Sequence, residues 1–378
     1  MTHFYHLEPH DPIVLGDGRS IGANTMTGSV DLPYPSTLAG LMRTTLGRKP
    51  DGTFDSSRIP DLLNQSLVGP LLARLDPDPE LFVPAPADAL FLGSSDPSDK
   101  SLFRRRLTPQ PLRDQEASDL DATGLLPVGL SSELLDKPKA GPRYWRWTHF
   151  ERWLYGPNKV KDGENVVPED LGLARLDHEE RIHVALDPKT RTVIDGAIFR
   201  TDGVRYTHKA EKRLERFGLH FGWQGDKNGV KAATVGLGGE RRLSALAPTP
   251  SSIPGLPTDL IKLIEKSRRV RLILLTPAIF DQGFRPATFT EAKLVACSVG
   301  RAVVVSGWDH NRTPSHPHGK PKPSRRCAPA GSVYWLDLDQ RVDVKSWVER
   351  HWFKNVSSDE QDRRDGFGLA VVGSGGEV

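Results

Sequence analysis

The sequence predicts an α+β protein of two domains, in which helices are set between strands. The chain has 378 residues, which is enough for two domains of ordinary size. Its 35 glycines and 31 prolines indicate many turns around short elements instead of long helices. Amphipathic helical segments alternate with short apolar runs in both halves of the chain, which is consistent with two split βαβ units.

The first half opens as a strand, a glycine-rich loop and a helix. Residues 4–9 are predicted as the strand, and residues 33–47, PYPSTLAGLMRTTLG, contain the helix. Ser36 or Thr37 can cap the start of this helix, and Gly47 can end it. One helical face carries the apolar residues Leu38, Leu41, Met42 and Leu46.

Residues 76–165 are predicted as an insertion in the first domain. As far as residue 140 the segment is rich in proline, aspartate and serine, which indicates an irregular surface excursion. Residues 142–156, PRYWRWTHFERWLYG, then combine six aromatic residues with four that can be cationic. These side chains could stack on nucleic-acid bases, or they could pack in a core or a protein interface. Packing is the favoured interpretation.

The end of the first half is predicted as a hairpin, a basic helix and a strand. Alternation with β-branched residues predicts the hairpin over residues 179–206, and residues 207–218, THKAEKRLERFG, are predicted as the helix. Residues 243–248 are strand-like. The linker-like segment TPSSIPGLPTD follows and sets the domain boundary near residue 255, which gives domains of residues 1–255 and 256–378.

The second half repeats the mixture of strands and helices. A basic segment, residues 310–327, holds five lysines or arginines, three histidines and no acidic residue, and its composition predicts a flexible loop. The other segments are predicted as a helix (259–267), strands (269–280 and within 296–308), a strand (332–338), a helix (344–353) and a final strand (366–373).

Composition excludes several classes of protein. The two cysteines, Cys297 and Cys327, do not make a disulfide scaffold and fit a reducing cytoplasm. We expect no signal peptide at the N-terminus and no membrane span, because no apolar run approaches about 20 residues. The net charge of +3 is too small to indicate nucleic-acid binding, so local clusters have to carry that argument.

The stretch VGLGGERR, residues 235–242, is the first such cluster. It contains neither the end of a phosphate-binding P-loop nor a dinucleotide-binding fingerprint. It is either a tight turn followed by solvated charges or a ligand loop. In the second case its glycines, Gly236, Gly238 and Gly239, would allow close approach of an RNA or a subunit. Arg241 and Arg242 would bind an anion, and Glu240 would orient one of them.

A second glycine cluster, RRDGFGLAVVG, lies near the C-terminus. Gly366 and Gly368 precede an apolar run that is predicted as a core strand. The glycines either lead the chain into that strand or pack their backbone against a nucleic-acid strand beside Arg363 and Arg364.

Other constellations give weaker signals. His310, His316, His318 and Cys327 are ligand types for zinc, but their spacing matches no zinc pattern, so contact of this basic segment with phosphate is preferred and no metal is predicted. The cluster DHEE, residues 177–180, is interpreted as a charged turn, and no cofactor motif is complete.

The ordered set of segments resembles a known family. DPIVLGDGRSIGA, PYPSTLAGLMRTTLG, HVALDPKTRTVIDGAIFRTDGVRY, VGLGGERR and GFGLAVVG together resemble the Cmr-three family, RAMP-superfamily subunits of type III-B CRISPR effector complexes. The resemblance implies two tandem ferredoxin-like (RRM-like) domains and a subunit without catalysis. It also implies binding of the 5′ repeat-derived handle of the crRNA, contact with the large polymerase-like subunit and a backbone RAMP subunit, and only indirect contact with target RNA.

By position, the family's glycine-rich strings correspond to several segments of this chain, and we infer that residues of these segments, together with Arg43, bind RNA. The C-terminal glycine loop departs from many RAMP proteins because it contains no basic residue. The candidates are Asp17, Gly18, Arg19, Ser36, Thr37, Arg43, Gly236, Gly238, Gly239, Glu240, Arg241, Arg242, Gly366 and Gly368.

Two other functions stay open at this point. One is a RAMP endoribonuclease that processes precursor crRNA, for which His183 or His220 are the obvious acid–base candidates. The other is an unrelated two-domain metabolic enzyme with a phosphate loop, which is weakened by the lack of a complete cofactor motif.

Overall fold

The computed structural model describes most of the chain. The described residues are 1–16, 30–93, 101–112, 116, 124–131, 137–210, 213–239, 242–286, 291–309 and 314–376. Their α-helices are short, and they are α1 (Pro35–Gly47), α2 (Ile59–Leu63), α3 (Trp147–Leu154), α4 (Pro168–Leu171), α5 (Thr258–Ser267), α6 (Val344–His351) and α7 (Glu360–Arg364).

Strands dominate the described part of the chain. In chain order they are β1 (Thr2–Pro9), β2 (Ser66–Asp76), β3 (Glu80–Pro84), β4 (Ala89–Gly93), β5 (Leu102–Arg106), β6 (Thr108–Pro109), β7 (Val128–Gly129), β8 (Pro138–Lys139), β9 (Tyr144–Arg146), β10 (Glu164–Val166), β11 (Gly172–Leu173), β12 (Asp177–Leu186), β13 (Val193–Arg205), β14 (Thr207–Ala210), β15 (Arg213–Gln224), β16 (Ala233–Leu237), β17 (Arg242–Pro248), β18 (Arg269–Leu274), β19 (Ala292–Ser298), β20 (Val303–Val305), β21 (Trp308–Asp309), β22 (Lys320–Pro321), β23 (Arg325–Cys327), β24 (Val333–Leu338), β25 (Lys354–Asn355) and β26 (Leu369–Ser374).

The strands form three larger sheets and several hairpins. The large sheet has the order β11-β9-β3-β2-β15-β1-β17-β16, with β14 also paired to β15. The C-terminal sheet has the order β19-β24-β18-β26-β25, and the insertion sheet has the order β10-β5-β4-β8. The described ladders of the large and C-terminal sheets are antiparallel. The predicted mixture of helices and strands is therefore confirmed, and the protein is rich in antiparallel sheet.

The two halves share one strand order. In the large sheet the segment β2-β15-β1-β17, and in the C-terminal sheet the segment β19-β24-β18-β26, place the first and third strands of the unit at the centre. The second strand lies beside the third, and the fourth beside the first. Each unit has one helical crossover where two were expected. In the first unit, helix α1 connects β1 to β2, but the connection from β15 to β17 contains strand β16 in place of a helix among its described residues. In the second unit, helix α6 lies in the connection from β24 to β26, but the described residues between β18 and β19 contain no helix.

Helix α1 forms as its sequence predicts. Pro35 occupies the first turn, where a missing amide N–H has no helical partner to lose. Leu38, Leu41 and Met42 are buried, and they pack into a core with Tyr5 and Leu7 of β1. The predicted cap is wrong, because the N-cap residue is Tyr34 and no side chain caps the helix.

A second core joins the two halves. It buries aromatic residues of the segment 144–155 against β18 and β26 of the C-terminal sheet, for example against Leu272 and Val371. The rings of Trp145 and Trp153 lie 5.6 Å apart, and both side chains are fully buried. These contacts confirm that the aromatic segment packs in a core.

A buried ionic network crosses the same core. The carboxylate of Asp88 accepts hydrogen bonds from the guanidinium of Arg271 and from the indole N–H of Trp153, the latter at 2.8 Å. Arg271 also donates to the carbonyl oxygen of Ser374 at 2.7 Å, and Arg106 lies 3.6 Å from Asp88. Asp88 and Arg271 are at most 2% exposed, so the insertion and the C-terminal sheet are held by charges with no access to water.

Two predictions about local structure are wrong. Residues 207–218 are not a helix, because they form β14 and the start of β15, the strand that pairs with both β1 and β2. Residues 80–84, within the segment predicted as irregular, are also a strand, β3, and with β9 from the aromatic segment they extend the large sheet. The hairpin predicted over residues 179–206 is confirmed as β12 and β13.

Candidate nucleic-acid interface

The first glycine cluster is a hairpin turn that is locked onto the N-terminal segment. Gly238 has a φ of +73°, and a Cβ there would lie 2.6 Å from the carbonyl oxygen of Val14, so only glycine fits. The N–H of Gly239 donates to the same oxygen at 2.8 Å. Gly236 lies in β16, and Arg242 begins β17 and is partly buried.

Five of the predicted site residues cannot be placed. Asp17, Gly18, Arg19, Glu240 and Arg241 lie outside the described residues. Val14, shortly before the first of these residues in the chain, contacts Gly238 and Gly239, which directly precede Glu240. Helix α1 packs against β16, the strand that leads into this turn.

The second glycine cluster meets the start of α1. Gly366 has a φ of +97°, and a Cβ there would lie 2.8 Å from the carbonyl oxygen of Gly69 and 3.1 Å from the Cβ of Pro35. The Thr276 hydroxyl donates to the Gly366 carbonyl oxygen at 2.8 Å. A Cβ at Gly368 would lie 2.8 Å from the backbone nitrogen of Ser357. Both glycines thus allow the chain to pack against itself.

Ser36, Thr37 and Arg43 occupy different environments on α1. Ser36 is partly buried and Thr37 is exposed. Both follow Pro35, whose Cβ lies 3.1 Å from the position that a Cβ of residue 366 would occupy. Arg43 is 14% exposed and forms an ion pair with Asp365 at 2.7 Å, while its Nε donates to the carbonyl oxygen of Leu62 at 3.0 Å. The Arg43 guanidinium therefore links α1 to the C-terminal half. Its contact with RNA stays a prediction.

A cleft of about 540 Å³ lies where the two halves meet, beside the start of α1. Its walls include six prolines and two tyrosines, and the exposed side chain of Arg143 stands among them. Flat apolar walls with one exposed guanidinium can accept a base and a phosphate. The lining residues come from 30–35, Pro70, 84–85 and 143–144 in the first half and from 275–277, Val303 and 329–330 in the second.

Asp31 organises the rim of this cleft. Its carboxylate accepts hydrogen bonds from the Tyr144 hydroxyl at 3.2 Å and from Arg143 at 3.3 Å. His178 of β12 reaches the same carboxylate with Nε2 at 2.9 Å, while its Nδ1 lies 3.0 Å from Asp202. Both ring nitrogens face carboxylate oxygens, which only accept, so this geometry favours the doubly protonated, charged imidazole.

Sequence reasoning missed this cluster. His178 belongs to the DHEE segment, which we predicted as a charged turn, but the segment starts strand β12. Its partner Asp31 is 147 residues away along the chain, so no local pattern signals the contact.

The charge of His178 makes a testable prediction. Burial lowers the pKa of His178, but the hydrogen bonds to Asp31 and Asp202 outweigh burial and the pKa is raised overall. The stabilisation from this charge is therefore fully present below the unfolded pKa, about 6.5, and is lost as pH rises through the raised folded pKa. We expect His178→Gln to lower the urea midpoint more at about pH 5.5 than at about pH 9. If the difference in urea midpoint between the wild type and His178→Gln were the same at both pH values, His178 would be held as a neutral side chain.

The two histidines of the nuclease hypothesis lie in different environments. His220 is 1% exposed in the centre of the large sheet, and burial lowers its pKa to about 4. His183 stacks on Phe199 of the neighbouring strand and lies 2.8 Å from the Thr201 hydroxyl. His220 therefore cannot reach an RNA in this conformation.

The zinc hypothesis finds no support in the described part of the chain. No group of three or more histidine, cysteine, aspartate or glutamate side chains there is arranged to hold a metal. His310 lies outside the described residues, His316 and His318 are exposed, and Cys327 is buried. None of the described helices is long and apolar enough to cross a membrane.

Known proteins provide a comparison for the whole chain. Two chains from cryo-EM structures of a type III-B Cmr-beta complex, one bound to cognate target RNA and AMPPnP in state 1 and one bound to cognate target RNA, each align with 16% sequence identity and a TM-score of 0.44. Each alignment covers 88% of this chain and 86% of the other. No curated protein matches. The profile of the CRISPR-associated protein family Cas_Cmr3 matches residues 5–375, nearly the whole chain, so the resemblance to this family is confirmed and the chain belongs to it.

Proposed function

We propose that this protein is a non-catalytic RNA-binding subunit of a type III-B CRISPR effector complex. It binds the 5′ repeat-derived handle of the crRNA, and it contacts the large polymerase-like subunit and a backbone RAMP subunit. Target RNA is reached only indirectly. One observation carries the proposal: segments that are far apart in the sequence, strand β16 that leads into the Gly238 turn and the loop at Gly366, both pack against α1.

We propose that both halves are ferredoxin-like domains that have each lost one helix. The shared strand order supports this, because it is the order of a split βαβ pair. The proposed domains are residues 1–255, with the insertion at 76–165, and residues 256–378. The linker before α5 supports that boundary, since the large sheet ends at Pro248 and the C-terminal sheet begins at Arg269.

The cleft between the halves is the proposed place for the handle. Single-stranded RNA is recognised by stacking of splayed bases and by cations at its phosphates. Tyr34 and Tyr144 line the cleft, and Arg143 is 67% exposed there. The start of α1 adds the positive end of a helix dipole, with no acidic residue in the first turn.

Replacing Arg143 by alanine tests this placement. We expect the affinity for handle RNA to fall about tenfold, because a charge-assisted contact to phosphate is lost. The measurement is a gel-shift titration with labelled handle RNA and a scrambled RNA, with and without the large partner subunit. Arg143→Lys keeps the charge and should retain most of the affinity.

The controls separate binding from folding and from catalysis. Lys345 is exposed on α6, so Lys345→Ala removes one charge elsewhere and should bind like the wild type. The same gels report cleavage of the RNA, which would favour a nuclease. Equal affinities of the wild type and Arg143→Ala for the handle would contradict the cleft as its site.

A further inference from the structure

The described part of the basic segment, residues 314–327, contains two short strands, β22 and β23, where a flexible loop was predicted. Val303 pairs with Cys327 and Val305 with Arg325, and further out Trp308 pairs with Pro321 and Asp309 with Lys320. Residues 301–309 and 314–327 therefore form an arm made of two short antiparallel ladders, which we call the basic arm. It projects from the connection between β19 and β24.

The base of the basic arm is anchored next to the cleft. Val305 and Cys327 are buried in a small core with Ile279 and Phe367. Arg325 forms an ion pair with Asp362 at 2.8 Å. Val303 lies in the first strand of the arm and also lines the cleft, so the surface of the arm continues directly from the proposed handle site.

The surface of the basic arm is strongly cationic. Arg301, Lys320, Lys322 and Arg326 are exposed, and none of the four forms an ion pair with a described residue. Residues 301–327 contain a single acidic residue, Asp309. Lys320 and Lys322 are two residues apart, so an extended backbone directs both side chains to the same side of the arm.

The basic arm also presents a fixed aromatic ring. Trp308 is 48% exposed, and its indole N–H donates to the carbonyl oxygen of His318 at 3.1 Å. A Cβ at Gly319 would lie 2.7 Å from the indole nitrogen, so the glycine lets the ring rest on the opposite strand. An exposed ring held in one orientation loses little entropy when a planar group stacks on it.

We propose that the basic arm binds single-stranded RNA that leaves the cleft, with Trp308 stacking on a base and the arm's cations meeting phosphates. An aromatic platform beside a positive track is the usual way in which proteins bind single strands without sequence preference. An acidic protein surface would satisfy the cations but would not use the fixed ring. This inference rests on the proposed function, since it takes the RNA in the cleft as its starting point.

The test compares two labelled RNAs with the full chain: the handle alone, and the handle extended by about ten uridines, within the site size of such surfaces. We expect wild-type protein to bind the extended RNA more tightly. Trp308→Ala should weaken binding of the extended RNA about 5- to 150-fold, the range measured for loss of one stacked base. The affinity for the handle alone should stay unchanged.

The charges are tested through the salt dependence. The triple variant Lys320→Ala, Lys322→Ala, Arg326→Ala should reduce the slope of log K against log salt by about 2 for the extended RNA, since each phosphate contact contributes about 0.7. The matched control, Lys262→Ala, Lys345→Ala, Arg341→Ala, removes three exposed charges elsewhere and should keep the wild-type slope.

The outcomes separate the two proposals. If wild-type protein shows no preference for handle RNA over scrambled RNA, the proposed function fails. If the handle binds but neither arm variant changes the affinity or the salt slope for the extended RNA, the inference about the basic arm alone is overturned, as it would be if the arm served an acidic protein partner.

Discussion

Replacing Asp88 by alanine is expected to lower the free energy of unfolding by about 3–5 kcal/mol, the usual cost of removing one partner from a buried ion pair. Asp88 is fully buried and accepts hydrogen bonds from Arg271 and Trp153, with Arg106 nearby. Without the carboxylate, the guanidinium groups of Arg271 and Arg106 lose the negative charge that faces them in the core. The measurement is the urea midpoint of the full chain, with the slope checked for two-state behaviour.

Two further variants make the Asp88 experiment decisive. Asp88→Asn removes the charge but keeps an acceptor for the Trp153 indole, so it can be measured even where the alanine variant fails to fold. The matched control is Glu291→Gln, since Glu291 and Arg350 form an exposed pair at 2.6 Å that should contribute at most about 1 kcal/mol. An Asp88→Asn variant as stable as the control would show that the buried network does not hold the halves together.

Replacing Gly366 by alanine is expected to lower the free energy of unfolding by roughly 2–4 kcal/mol, because a strained backbone and a steric collision add together. The φ of Gly366 is +97°, which suits glycine, and a Cβ would collide with the carbonyl oxygen of Gly69 at 2.8 Å. The oxygen is a backbone atom and the Cβ is fixed to the backbone of residue 366, so the collision is relieved only by shifting β2 or the loop. The start of α1 moves with them, and handle affinity should fall as well.

The glycines of the chain supply a matched control for this variant. Gly283 has a φ of +75°, but nothing lies within 4 Å of its Cβ position. Gly283→Ala therefore pays only the backbone strain, roughly 1–2 kcal/mol. Urea titrations of the two variants separate strain from collision. An equal loss in both would mean that the contact between Gly366 and Gly69 is not tight in solution.

Elements with a complete local signal could be predicted from the sequence. Helix α1 needs only Pro35 at its start and an apolar face from Leu38 to Met42. Helices α5 and α6 and strands β18, β24 and β26 carry similar local patterns and are found where expected. The helix predicted over residues 207–218 is wrong because the charge pattern of that segment is helix-like, whereas pairing with β1 and β2 on both sides decides its conformation.

Contacts between distant residues could not be predicted. Asp88 and Arg271 are 183 residues apart, and His178 and Asp31 are 147 residues apart. No short segment of the sequence therefore indicates either contact. The candidate site was grouped through family resemblance. The packing of β16 and of Gly366 against α1 depends on tertiary contacts that no spacing in the sequence indicates. The basic arm was noticed for its charge, but its strand pairing depends on residues about 20 positions apart.

The two halves share a core, and its residues are synthesised at different times. Trp153 and Leu154 leave the ribosome long before Val371, yet they bury their side chains against the strand that contains it. At ordinary rates of translation the 216 residues between Leu154 and Val371 take about 10–40 s. During that time the aromatic face of the nascent chain lacks the final strand of its core, so co-translational chaperones or prompt completion of the chain will govern how much of it escapes aggregation.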